Sequence, residues 1–392
     1  MPVSEHYDFI ICGGGMSGLS LAWHLNHSAL RDRKILIIEP DDKNKNDRTW
    51  AFWEKETGPF EEILTRTWDH LDFINETGQK RTLDIYPYRY KLLRGIDFYH
   101  HVLNEIKNNP NITRLQDAVR KIQDGHDKAL VTTAGGSDFT TAYVFDSTFR
   151  LSLSRPENHN LLQHFKGYVI ETAEPAFDPE KPEMMNFSVP QINSECRFIY
   201  VLPFSDRKAL IEYTVFSEHL LHEKEYDEAL LDYIQKSGIQ SFRIVEEESG
   251  VIPMSDEPTE EFPGKRIVRI GTSGGYTNPS TGYTFRYTQK RLTEMVRALE
   301  IHGSPYLKSH WADRRFSLYA SIILNVLKRK RHAAGDVFDR LYGRNKASMI
   351  FSFLDGETGF WQEIRIMNST PVFKFMAAAF EVLRLRLSRR KK

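Results

Sequence analysis

The stretch Tyr7 to Gly18, YDFIICGGGMSG, limits what this chain can fold into more than any other. Its apolar run Phe9 to Cys12 suits a strand buried on both faces. Gly13, Gly15 and Gly18 follow in G-x-G-x-x-G register. Each glycine meets a separate need: Gly13 a tight turn, Gly15 a backbone that can approach a pyrophosphate, Gly18 close packing of helix on strand. A helix from Met16 to about His27 aims its positive N-terminal end at the phosphates. A glycine motif alone is weak, because plain turns use the same residues. Here a second apolar strand, Ile35 to Ile38, ends in Glu39, about 20 residues past the glycines, where an acid takes a ribose hydroxyl. A dinucleotide-binding βαβ unit is expected. Its N-terminal position is typical of FAD-binding Rossmann proteins, whose flavin reaches across to later segments.

Composition narrows the setting. A chain of 392 residues can bury large cores, enough for roughly two or three closely packed subdomains. Basic and acidic residues balance at 53 each, so no global charge points to nucleic acid. The two cysteines, Cys12 and Cys196, argue for a reducing compartment and against a disulfide scaffold. Nothing before the first strand reads as a signal peptide, and no apolar stretch approaches the ~18 residues of a spanning helix. The expected location is the cytoplasm, with peripheral contact on the inner face of the membrane. That contact would come from the end of the chain, where an apolar segment from Pro371 runs into RLRLSRRKK. Such a run is commonly a solvated basic terminus. Alternatively, Phe373, Met376, Phe380 and Leu383 form the lipid face of a helix whose lysines and arginines meet anionic headgroups.

Past Glu39 a charged loop turns abruptly aromatic at DRTWAFWE. Trp50, Phe52 and Trp53 are either core or the lining of a pocket for an extended apolar ligand, since an exposed loop gains nothing from three large rings. Their position beside the cofactor crevice favours the pocket. Residues 66–90 read as strands and hairpins of a second sheet, and KLLRGIDFYHHVLNEI as a helix with Phe98, Val102, Leu103 and Ile106 on its apolar face. His100 and His101 cannot share a helix face, so no metal site is expected. YVFDSTFR at Tyr143 to Arg150 reads as a return to the cofactor sheet. The strand block HFKGYVIET, MNFSVP, CRFIYVLPF and ALIEYTVF implies a separate antiparallel layer. A helix is expected over Glu223 to Ser237, and helices dominate from Tyr283 on. The resulting division is a FAD-binding start at 1–65, substrate-domain strands at 66–90, a FAD-domain continuation at 91–155 and a substrate or lid domain at 156–250. A flavin-contacting segment at 251–300 and a helical region with a basic tail at 301–392 complete it. The fold class is α/β: a Rossmann-type FAD domain, an interleaved antiparallel β substrate domain and a helical C-terminal part.

The blocks GGGMSGLSLA, NDRTWAFWE, YVLPFSDRKALIEYTVFS, GTSGGYTNPSTGYTF and FLDGETGFWQEIRIMNSTP, in that order, resemble the FAD-dependent lycopene cyclases of bacteria, relatives of the plant lycopene β-cyclases. The resemblance runs from about residue 5 to residue 375. It implies a glutathione-reductase-like FAD domain, reduced FAD as the active cofactor with NAD(P)H as reductant, and a carotenoid tunnel. The implied reaction closes the acyclic ends of lycopene into β-ionone rings, giving β-carotene by way of γ-carotene. One departure concerns Gly271-Thr272, where many flavoproteins carry Gly-Asp; ribitol contact must then come from backbone or Thr272. A redox enzyme on the same fold, a flavin monooxygenase or a prenyl or carotenoid reductase, is the alternative.

Ring closure is an isomerisation: an alkene end is protonated, an internal double bond attacks the cation, and a proton leaves. The donor must sit in an apolar, dry channel. Glu212 meets that need within ALIEYTVF, among Leu210, Ile211, Val215 and Phe216. If Ser205 to Lys208 turn a hairpin, the residue opposite is Val201, or Tyr200 or Leu202 after a slip of one; none is basic. An unpaired carboxyl there should hold its proton near neutral pH, and the matching family glutamate is held to be the acid/base. Otherwise Glu212 lies on a wet sheet edge or pairs with a cation from elsewhere. Asp355 and Glu357, in FLDGETGFW, are either an ordinary turn or groups that orient the donor or accept the last proton, with Phe360 and Trp361 walling the tunnel. Pro279, Ser280 and Thr281 read as a helix start facing the flavin; with Gly271, Gly275 and Gly282 they form the expected flavin segment. Arg94 is expected to help hold the pyrophosphate.

Overall fold

The computed structural model describes residues 5–153, 155–307 and 311–389. The chain opens with β1 (Glu5–Cys12), α1 (Met16–Asn26) and β2 (Ile35–Ile38). Then come β3 (Thr49–Glu54), β4 (Arg66–Trp68), β5 (His70–Ile74), β6 (Lys80–Asp84), β7 (Arg89–Arg94) and α2 (Gly95–Ile106). Strands β8 (Ile112–Leu115), β9 (Val119–Gln123), β10 (Ala129–Thr133) and β11 (Asp138–Asp146) lead into β12 (Asn160–Thr172), β13 (Glu183–Asn186), β14 (Cys196–Pro203) and β15 (Lys208–Ser217). Helix α3 (Glu223–Lys236), β16 (Phe242–Ser255) and β17 (Ile267–Arg269) precede the helical end. That end comprises α4 (Phe285–His302), α5 (Trp311–Lys328), α6 (Ala334–Arg344), α7 (Ala347–Leu354), α8 (Phe360–Ser369) and α9 (Val372–Arg389).

The βαβ start forms as its pattern requires. Strand β1 lies between β2 and β11, parallel to both, in a sheet ordered β8-β2-β1-β11-β10-β9, with β17 pairing β11. Ile10, Ile11 and Cys12 are fully buried because helices α1, α2 and α4 cover one face and residues of β10 and β11 complete the other. A second sheet, β16-β12-β15-β14-β13-β5-β6, holds the strand block. Side chains alternate across it. Ile211 and Tyr213 pack on α3, whereas Leu210 and Phe216 turn inward to meet Trp53, Tyr90 and helices α5 to α7.

Three expectations change here. Strand β16 runs to Ser255 within the second sheet, so the division placed at 250 cuts a strand. Of the strands between 66 and 90, only β5 and β6 join that sheet; β4 and β7 form a small sheet with β3 in the order β3-β7-β4. The aromatic stretch Trp50 to Trp53 is therefore strand, not loop. No helix among the described residues is long and apolar enough to cross a membrane.

Candidate active site

The glycine turn is shaped for a phosphate. Gly13 takes φ +94°, and a side chain on Gly18 would run into the Gly13 carbonyl. A Cβ on Gly15, in contrast, would meet nothing within 4 Å. Gly15 is also the N-cap of α1, which has no side-chain cap and no acid in its first turn. Open space, unpaired N–H groups and a helix N-terminus together fit a pyrophosphate. Glu39 lies at the end of β2, its Oε2 accepting the Gly14 N–H at 2.5 Å and its Oε1 the Asp41 N–H at 3.0 Å. A carboxylate so placed beside the turn fits a ribose. The segment after β17 completes the cradle: Gly271 abuts Ser17 of α1 and Gly275 abuts Thr259.

Four expected cofactor residues behave differently from expectation. Pro279, Ser280 and Thr281 do not start a helix. They belong to a turn closed by the Gly282 N–H on the Asn278 carbonyl at 2.9 Å and by the Ser280 N–H on Asn278 Oδ1 at 3.0 Å. Gly282, at φ +74° against Gln163, prevents helix until Phe285. Arg94 is committed to Glu246, its Nη2 donating to both carboxylate oxygens at 2.9 Å, and not to the glycine turn.

Glu212 lies on the inner face of the second sheet. The hairpin pairs it with Tyr200, so the one-residue slip holds and Val201 faces Ile211. On the other side Glu212 is level with Gly167, and Gly167 with Glu248 of β16. Four neighbouring strands thus present Tyr200, Glu212, Gly167 and Glu248 in one row. Glu212 is not the lone carboxyl expected. Its Oε1 accepts the Thr214 hydroxyl at 2.8 Å, Glu248 Oε2 accepts the Thr49 hydroxyl at 2.6 Å, and the two carboxyls are close enough to act on each other electrostatically. Burial raises both carboxyls well above the usual range; for Glu212, repulsion by Glu248 adds to it, whereas Thr49 and Arg48 moderate the rise at Glu248. At least one proton therefore stays on the pair near neutral pH. Glu212 itself is half-buried on this inner face.

Tyrosines surround Glu212. Tyr90 and Tyr283 hydroxyls are 3.1 Å apart, and Tyr200, level with Glu212 on the adjacent strand, lies close to both. Burial raises all three phenols, so they remain neutral donors and acceptors. Trp53 packs on Tyr283 with centroids 4.3 Å apart and stacks on Phe351 at 4.6 Å.

The remaining expected residues scatter. Alternation along β3 splits the aromatic triad: Trp53 faces the tyrosine cluster, whereas Trp50 and Phe52 turn to the cofactor-domain core, where Phe52 stacks on Phe285 at 4.6 Å. Phe360 and Trp361 do not join the tyrosine cluster; Trp361 borders a surface hollow with Arg344, Ile364 and Asn368 instead. At the start of α8 they are 61% and 79% exposed, because Glu363 and Ile366 take the buried side of that helix. Asp355 accepts the Trp53 indole N–H at 3.0 Å and pairs with Arg286 at 2.6 Å; burial outweighs Arg286 and lifts it to about 6. Burial acts the same way on Glu357, but Lys55 at 2.6 Å and Arg286 at 3.1 Å outweigh it and hold that carboxyl below its usual range. Both acids brace the turn between α7 and α8, and no hydrogen bond among the described residues joins either to Glu212. His101, Glu105 and Glu62 do bring three ligand atoms within 4.8 Å, although His100 takes no part; His101 Nε2 and Glu105 Oε1, one helical turn apart, are 3.3 Å from each other.

The fold defines the class. The chain aligns over 99% of its length with all of a flavin-dependent brominase (TM-score 0.62, 12% identity). It aligns over 97% with all of a geranylgeranyl bacteriochlorophyll reductase-like protein from Thermoplasma acidophilum (TM-score 0.61, 11% identity). This is the fold of FAD-dependent oxidoreductases and monooxygenases. Within that class the family description "Lycopene cyclase protein" matches residues 8–380, and the chain belongs to that family. A chloroplastic lycopene beta cyclase of Arabidopsis thaliana is 26% identical over 332 residues, 79% of this chain and 64% of that protein. The chain spans a little under two thirds of that relative's length.

Proposed function

We propose that the chain is a lycopene β-cyclase, converting the acyclic ends of lycopene, or of a related acyclic carotenoid, to β-rings with reduced FAD and no net redox change. The observation that carries the proposal is the pair of neighbouring carboxyls, Glu212 and Glu248, on the inner face of the second sheet beside aromatic rings. Glu212 donates its proton to the terminal alkene. The cation that results is attacked by an internal double bond, and the proton lost afterwards returns to the pair. Proton transfer and ring closure are concerted, because a carboxylic acid is a feeble donor to an alkene. Tyr90, Tyr200, Tyr283 and Trp53 exclude water and offer π faces to the cation. Gly13, Gly15, Glu39 and the Gly271–Gly275 segment would hold FAD, which when bound and reduced supplies negative charge beside the developing cation. NAD(P)H would supply the electrons that load it.

The substrate reaches the site from a membrane. Phe373, Met376, Phe380, Leu383 and Leu387 make an exposed stripe along α9, with Lys374 and Arg384 exposed beside it, which suits an anionic lipid surface. The final Arg390, Lys391 and Lys392, expected to add to this contact, lie outside the described residues. On this proposal the protein is peripheral on the cytoplasmic face.

Glu212→Gln tests the acid directly in lycopene-accumulating cells. The amide keeps the side chain's shape and removes its proton. No cyclic carotenoid should form, while purified variant retains flavin and bound pigment; β-carotene at the wild-type level would remove Glu212 from the chemistry.

A further inference from the structure

We propose that Glu248 is the positioning residue for Glu212: across Gly167 the two carboxyls share their protons, and Glu248 keeps Glu212 in its acid form between turnovers. The inference rests on the cyclase reading for the identity of the substrate, but its geometry stands alone.

Glu212 and Glu248 are not on adjacent strands. Both are level with Gly167 of the strand between them, so their backbones lie two strand spacings apart, about 10 Å. Two glutamate side chains span that gap only by leaning over the middle position. Gly167 leaves it free: a Cβ there would fill the space between the Glu212 Cβ and the Glu248 Cγ, in contact with each at 3.4 Å, and crowd Leu210 at 3.0 Å. A hydroxyl occupies one oxygen of each carboxyl, Thr214 on Glu212 and Thr49 on Glu248. A hydrogen bond between the two carboxyls then needs a carboxyl proton, because two carboxylates have no donor to share.

The surroundings differ at the two ends. Tyr90, Tyr200 and Tyr283 face Glu212, all neutral, and no cation lies among the groups acting on it. At the Glu248 end Arg48 is close, as is Glu246, itself held by Arg94 and by the Asn46 amide at 3.1 Å. Negative charge is therefore better tolerated on Glu248 than on Glu212, and a shared proton resides on Glu212, the side that faces the tyrosines. During turnover Glu212 loses one proton to the substrate and the pair regains one from the cyclised cation. Nothing is oxidised or reduced, and Glu248 need not touch the carotenoid.

The test uses full-length protein and two independent readouts. In infrared titration of protein without added carotenoid, wild type should show protonated-carboxyl bands at neutral pH that are lost in Glu212→Gln. In Glu248→Gln the Glu212 band should titrate lower by on the order of one pH unit, because an amide donates a hydrogen bond and repels nothing. Thr49→Val, which removes the donor to Glu248, should move the bands the opposite way. The second readout is the pH profile of cyclisation: Glu248→Gln should be slow at neutral pH and recover toward wild type in acid, with Glu248→Asp between them. Bands unmoved by Glu248→Gln and Thr49→Val, or activity lost equally at every pH, would overturn the role of Glu248. A wild type that leaves lycopene unchanged would refute the cyclase reading instead, while the infrared result still decides the pair.

Discussion

The exposed stripe on α9 gives a quantitative test of membrane docking. Phe373 is 87% exposed and Phe380 72%, so most of each ring is available to lipid and neither packs in the core. Full burial of a phenylalanine is worth roughly 1.5–3 kcal/mol. Changing both to serine should then remove about 3 kcal/mol of binding, around a hundredfold in the vesicle partition coefficient. Co-sedimentation with vesicles of mixed zwitterionic and anionic lipid reads the partition, and a melting curve serves as control. Both rings are solvated in the free protein, so the melting temperature should stay within a degree or two of wild type. Unchanged vesicle binding by the folded double variant would refute a lipid-facing α9.

Three further outcomes are expected. Gly15→Ala should fold normally, since its Cβ meets nothing within 4 Å, yet purify without flavin absorbance; full flavin occupancy would show that the pyrophosphate does not approach this residue. Phe285→Ala should cost about 3–5 kcal/mol in chemical denaturation, because the ring is buried and stacks on Phe52 with Trp50, Phe60 and Phe98 around it. A loss below about 1 kcal/mol would mean that this ring cluster does not hold α4 to β3. Asp355 binds its proton more tightly folded than unfolded, so its contribution to stability is present below the ordinary carboxylate range and lost as pH rises through about 6. Asp355→Asn should gain stability relative to wild type between pH 4 and pH 8, by up to ~3 kcal/mol; a difference that does not vary with pH would contradict the shift.

What the sequence disclosed depended on how local each constraint is. The glycine turn was legible because Gly13, Gly15 and Gly18 answer to one strand, one turn and one helix. Glu212 stood out because its apolar neighbours lie beside it in sequence. Glu248 gave no such sign: in VEEESG it reads as one of a solvated acidic run, and only pairing of β16 with β12, more than 70 residues earlier, buries it. The pairing of Gly167 with both glutamates was the available signal, hidden in HFKGYVIET as an unexplained glycine inside a strand. Trp50, Phe52 and Trp53 were sorted by a period of two that appears only once the stretch is known to be strand. Phe360 and Trp361 failed as tunnel walls because aromatic character alone does not say which side of a helix is covered. At Pro279 to Thr281, Asn278 and Gly282 outweighed the capping residues between them.

The most direct measurement is the mass and retention of the pigments formed when the chain is expressed in lycopene-accumulating cells beside Glu212→Gln. Acid-catalysed closure predicts cyclic products of the same mass as lycopene from wild type and none from the variant. Products heavier by oxygen or by hydrogens, or cyclic products made equally well by both, would contradict it.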